Sequence, residues 1–208
     1  MKLYLGSYRI ADVEELQKLL PAKPSEVRTA IIPNAGDYYA DRARTFKINQ
    51  KVEVLSEYGF KPNVVDLRDY DQASLEAKLK EYDFIWVGGG NTFCLRYEMQ
   101  KSGFDQIIKN LLEQGLVYGG ESAGAIVIGP SLKGVEYGDE PEFAEKQIYD
   151  GLGVVPQIVI PHADNAEFGD AVVKMLEHHQ SNPDLITIND NQAVIIDGDE
   201  VRVVTATT

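Results

Sequence analysis

The sequence predicts an α/β fold: a doubly wound, largely parallel sheet flanked by helices and ending in a β-hairpin. Three observations carry this prediction. Short apolar runs alternate along the chain with amphipathic stretches of helical period, the pattern of repeated strand–helix units. The run Phe84-Ile85-Trp86-Val87 is apolar at every position, which suits a strand covered on both faces. Near the C-terminus two apolar runs are joined by Asp197-Gly198, a tight-turn dipeptide.

Leu3 to Leu5 reads as the first strand. Ala11 to Leu20 reads as a helix, with Val13, Leu16, Leu19 and Leu20 at helical spacing. Arg28 to Pro33 is a strand, entered after Pro24 and left through Asn34-Ala35-Gly36. Ala40 to Tyr58 is a long helix stopped by Gly59. A strand over Pro62 to Leu67, a helix over Gln72 to Glu81 and the strand Phe84 to Val87 follow. Thr92 to Gln100 and Phe104 to Glu113 are helices, and Leu116 to Tyr118 is the next strand. The pattern then loosens. Residues 131–153 carry Glu136, Asp139, Glu140, Glu142 and Glu145 among four glycines, a surface loop with room for a short helical turn. Order returns with a strand over Gln157 to Ile160, a helix over Ala166 to His179, and strands over Leu185 to Ile188, Ala193 to Ile196 and Val201 to Thr205.

The 208 residues are 44% hydrophobic and 25% charged, which fits one globular domain over residues 1–208. The net charge of −13 repels phosphate backbones and anionic lipid, so neither nucleic acid nor a membrane surface is an expected partner. The one cysteine, Cys94, allows no intrachain disulfide and falls on the apolar pattern of a helix. Met1 to Gly6 reads as a short strand rather than a signal sequence, and no apolar run approaches a membrane span. The expected setting is the cytoplasm, as a monomer or homodimer.

Gly120-Glu121-Ser122-Ala123-Gly124 is the motif that points to chemistry. A serine flanked by glycines between a strand and a helix reads as a nucleophile elbow, with small residues where strand and helix must approach. The pentapeptide alone is weak evidence, since a glycine-rich turn also serves packing. A serine hydroxyl needs a base. His178 and His179 fall in the last turn of a helix, where cations suit the dipole. His162 follows Pro161 at the carboxyl end of a strand, where the sites of open parallel sheets gather, and the elbow serine is expected at the same edge. The imidazole needs an acceptor to fix its tautomer. Asp164, Asp190, Asp139 and Glu136 are all candidates, with helix capping the alternative for Asp164 and a solvated loop face for Asp139 and Glu136. The oxyanion needs donors: the Ala123 N–H is one, and the loop Gly88-Gly89-Gly90-Asn91-Thr92 offers a second. That loop lacks the Lys-Ser/Thr pair and the spacing of a nucleotide-binding loop. No metal and no cofactor are expected, because His162 has no His or Cys partner at ligand spacing.

Together Gly88-Gly89-Gly90-Asn91-Thr92-Phe93, Ser122-Ala123-Gly124-Ala125 and Pro161-His162 resemble, in order and interval, the S51 serine peptidases. That group contains aspartyl dipeptidase and cyanophycinase, and the resemblance runs from about Arg28 to the C-terminus. It implies a fold like that of class I glutamine amidotransferases, with serine in place of their cysteine. It implies Ser122 as nucleophile, His162 as general base, and Gly89 or Gly90 with Ala123 as oxyanion donors. The family's acid after a late strand falls on Asp190, a methylene shorter than the usual glutamate. An acid in the loop after the serine would fall near Glu136 to Asp139, and Asp164 has the amidotransferase spacing. The implied activity is hydrolysis of a small peptide, with aspartyl groups as the recognised feature. Arg42, Arg44, Arg96 and Lys133 are the cations at hand. An amidase or esterase on the same scaffold, or a binding protein without turnover, are the alternatives.

Overall fold

A computed structural model describes residues 1–206. Strands β1 (Lys2–Gly6), β2 (Thr29–Ile32), β3 (Pro62–Val64), β4 (Phe84–Val87) and β5 (Val117–Glu121) form the parallel part of the main sheet. With β8 (Gln192–Asp197) and β9 (Glu200–Thr205) it has seven strands in the order β3-β2-β4-β5-β1-β8-β9. β8 runs antiparallel to β1 and turns into β9 through Gly198, whose φ of 61° suits the turn.

Period-two alternation sends each strand's side chains into two different cores. Leu3, Leu5, Ile85 and Val87 pack against helices α3 (Gln72–Leu79), α4 (Thr92–Lys101) and α5 (Phe104–Glu113). Tyr4, Ile31, Phe84 and Trp86 pack against α1 (Val13–Leu19) and α2 (Asp41–Glu57) on the other face. Helix starts follow capping chemistry: Asp12 caps α1, Asp71 and Ser74 form a capping box on α3, and the Asn91 side chain accepts the Cys94 N–H at the start of α4.

The structure departs from the sequence reading in four places. β5 runs on through Gly119-Gly120 to Glu121, because it is paired with β1 and β4 there. A β-carbon on Gly119 would lie 2.4 Å from the Trp86 ring, so this strand needs glycine. β3 stops at Val64, and Asp66 caps a short 3₁₀ turn over Leu67–Asp69. The helix after the serine, α6 (Ala123–Ile126), is a single turn, so it brings individual N–H groups rather than a long macrodipole. Finally, β6 (Ile158–Ile160) is not in the main sheet. It pairs in parallel with β7 (Leu185–Thr187) in a separate two-stranded sheet, and α7 (Gly169–His179) starts three residues later than its pattern suggested. Val159 and Ile188 nevertheless bury beside Val127 and Ile128, which brings the ends of β6 and β7 to the elbow. A third core, including Phe93, Leu132, Ile160 and Val172, fills the space between the 131–153 loop and α7.

Candidate active site

Ser122 stands between β5 and α6 with φ 49° and ψ −112°. The glycines around it are required by contact. A β-carbon on Gly124 would stand 2.3 Å from the Val87 carbonyl oxygen, and one on Gly120 2.5 Å from the Gly124 carbonyl oxygen. His162 also has positive φ, 63°, and these two are the only non-glycine residues with positive φ among the described residues. Such backbone typically costs about 1–3 kcal/mol per residue, and it clusters at functional sites.

The Ser122 Oγ lies 3.0 Å from His162 Nε2. On the other side of the ring, Nδ1 lies 2.5 Å from Asp190 Oδ1. The order serine, imidazole, carboxylate is thus continuous. Asp190 is held by more than His162: the Ser7 hydroxyl donates to its Oδ1 at 2.9 Å, and the Asn165 amide donates to its Oδ2 at 2.8 Å. Burial alone would raise the Asp190 carboxyl, but these hydrogen bonds outweigh it and hold the group below its ordinary value. An ionised carboxylate only accepts, so Nδ1 carries the hydrogen and Nε2 is free to accept from Ser122. Phe168 stacks on the imidazole at 4.5 Å, and the ring is buried.

Ser7 was not legible as a site residue. It is fully buried at the end of β1 and also accepts the His162 N–H at 2.8 Å. Its place just past the carboxyl end of a central strand was the available signal. The other candidate acids have separate tasks. Asp164 accepts the Asp190 N–H at 3.0 Å and so holds the Asp190 backbone. Asp139 accepts the Thr92 N–H at 2.7 Å at the start of α4, and burial raises its carboxyl. Glu136 accepts the Gly134 N–H within its own loop. His179 contacts the Lys133 carbonyl oxygen, away from the site.

With this geometry in hand, comparison with known proteins is decisive. A model described as Peptidase family S51 matches residues 6–204. The chain belongs to peptidase family S51. An uncharacterised peptidase of Listeria monocytogenes is 30% identical over 158 residues, 76% of this chain and 77% of the relative. One of Pasteurella multocida is 29% identical, over 95% of this chain and 94% of the relative. A crystal structure from Listeria monocytogenes, described as a candidate peptidase E, superposes with a TM-score of 0.86 at 26% identity, covering 99% of this chain and 98% of that one. This S51 chain is a peptidase, with a side-chain arrangement of the serine type.

The glycine loop Gly88-Gly89-Gly90 lies beside Ser122. Gly89 is so near Ser122 that a β-carbon on it would stand 3.0 Å from Ser122 Cβ. Gly90 has φ 147° and presses on the Ala35 carbonyl, so neither position admits a side chain easily. The Gly89 N–H, however, donates to Glu121 Oε1 at 3.2 Å, a partner that no motif pointed to. The cleft above Ser122 has a volume of 630 Å³, the size of a small-ligand site. The cations nominated from sequence are mostly committed elsewhere. Arg44 lines the cleft, but it is buried and pairs with Asp37 and Asp66 at 2.5 and 2.7 Å. Arg96 is tied to Asp105 and the Asp150 carbonyl. Arg42 and Lys133 are exposed and do not line the cleft. Arg9 and Lys47, which do line it, had no motif to reveal them.

Proposed function

We propose that this S51 peptidase hydrolyses small peptides through an acyl-enzyme formed on Ser122. The hydrogen-bonded chain Ser122–His162–Asp190 supports the reading above all. Ser122 Oγ attacks the scissile carbonyl carbon as its proton passes to His162 Nε2. Asp190 keeps the imidazole oriented and stabilises its cationic form. The Ala123 N–H and one N–H of Gly89 or Gly90 stabilise the oxyanion. When the tetrahedral intermediate collapses, the C–N bond breaks and His162 returns the proton to the leaving amine. Water, deprotonated by His162, then attacks the ester and frees Ser122. No step requires a metal or an organic cofactor.

The finer part of the proposal concerns substrate. Aspartyl dipeptides fit a cleft of this size with Arg9 and Lys47 on its wall, since a substrate carboxylate needs a positive partner against the chain's net charge of −13. The proposal places the enzyme in the cytoplasm, as a monomer or homodimer. A dipeptide panel with aspartyl, alanyl and lysyl N-terminal residues tests specificity. Aspartyl substrates are expected to show the highest kcat/KM, with KM raised by Arg9→Met. Equal turnover of alanyl and aspartyl dipeptides removes the aspartyl reading and leaves the peptidase.

A further inference from the structure

Acyl transfer leaves one feature beside the nucleophile unexplained. Glu121, the residue before Ser122, uses a single carboxylate oxygen to accept the Gly89 N–H and to pair with the Lys51 ammonium. Neither side chain is a surface group: they are 13% and 25% exposed. Lys51 reaches from α2, and its stem lies along Gly88, where a β-carbon would stand 3.0 Å from Lys51 Cδ. One carboxylate, one ammonium and one peptide N–H are thus gathered at Gly89, the residue whose β-carbon would stand 3.0 Å from Ser122 Cβ.

An N–H has one hydrogen, and sharing it between a carboxylate and an oxyanion weakens its bond to each. A carboxylate that stayed on the donor would also face the negative charge that develops on the substrate oxygen, and like charges at such range oppose each other strongly where water is scarce. The counter-charge is already in place, on the same oxygen. We propose that Glu121 and Lys51 form a latch on the oxyanion donor. In the empty cleft the carboxylate holds the Gly89 peptide. When a substrate carbonyl enters, Lys51 keeps the carboxylate and the N–H turns to the carbonyl oxygen. Both side chains act through Gly89 and are positioning residues; the inference rests on the serine-peptidase reading above.

The latch makes opposite predictions for its two halves, which a simple structural ion pair does not. Glu121→Ala frees the donor, so kcat holds or rises a few-fold. Lys51→Met leaves an uncompensated carboxylate on the donor, so kcat falls about 10²–10³-fold, the usual effect of losing one oxyanion donor, with KM little changed. The double variant recovers the rate of Glu121→Ala. Steady-state kcat and KM, the rate of fluorophosphonate inactivation and Tm are measured for the four proteins. Should Glu121→Ala fold poorly, Glu121→Met removes the same acceptor and charge at similar volume and has the same expected direction. A fall in kcat for both single variants, deepened in the double, overturns the latch. Wild-type protein that neither hydrolyses peptides nor labels overturns instead the reading on which it rests.

Discussion

Asp190→Asn tests the site through hydrogen-bond directions. In the wild type, Oδ1 of Asp190 accepts from His162 Nδ1 and Ser7, and Oδ2 accepts from Asn165 Nδ2. An amide has one oxygen and one NH₂. The Asn165 amide is a donor, so the introduced oxygen must turn to it, and the introduced NH₂ then faces His162. Ser7 can rotate its hydroxyl to accept. His162 Nδ1 must now accept as well, which moves the ring hydrogen to Nε2, pointing at Ser122 Oγ 3.0 Å away. A ring in that tautomer cannot take the serine proton. The expected loss is about 10⁴-fold in kcat, or about 5.5 kcal/mol of transition-state stabilisation, with little change in fold. The same logic supplies a rescue. Asn165→Asp in the Asp190→Asn background offers an acceptor where the donor stood, lets the introduced amide flip, and should recover part of the rate. The assay is kcat on the best dipeptide, with NMR of the imidazole nitrogens for the tautomer. If Asp190→Asn keeps more than a tenth of the activity, or Asp164→Asn is the more damaging change, the assignment of the acid is wrong.

Other consequences follow from the same contacts. Ser7→Ala leaves the buried His162 N–H without its acceptor and Asp190 with one donor fewer, so thermal unfolding should show a loss of about 1–3 kcal/mol together with a slower kcat. Ser122→Gly removes the nucleophile and relieves its positive φ, so the inactive variant should melt higher by a few degrees, for a net gain of about 1 kcal/mol. Cys94 is buried and its thiol is pushed up to about 12, chiefly by desolvation, so iodoacetamide at pH 8 should leave the native protein unmodified and react after denaturation. The Asp190 carboxyl is depressed in the folded protein, so its ionisation favours folding above the unfolded value near about pH 4. The stability difference between wild type and Asp190→Asn should therefore carry this contribution in full above about pH 5. It should shrink as pH falls through the folded value, which urea titrations at each pH would show.

The sequence made legible what local chemistry decides. Phe84–Val87 matched because four apolar residues in a row have few other uses, and α5 matched because its apolar residues repeat at helical spacing. The pieces that failed were those set by partners distant in sequence. Gly119-Gly120 looks like a turn until β1 and β4 flank it, and β6 resembles any buried strand until β7 pairs with it outside the main sheet. The site divided the same way. Ser122 and His162 are visible in motifs, whereas four acids were open to pair with His162 and it is Asp190 that the structure sets against its ring. Ser7, Asn165, Glu121 and Lys51 lie on four separate elements or loops, and no spacing connects them.

The central claim is that Ser122 is a hydroxyl made nucleophilic by His162. Its most direct measurement is mass spectrometry of the intact protein and its peptides after treatment with a fluorophosphonate. The account predicts one adduct, on Ser122, formed by the wild type, lost in Ser122→Ala and slowed by orders of magnitude in His162→Ala. An adduct on another residue, or labelling of Ser122 at an undiminished rate without His162, would contradict it.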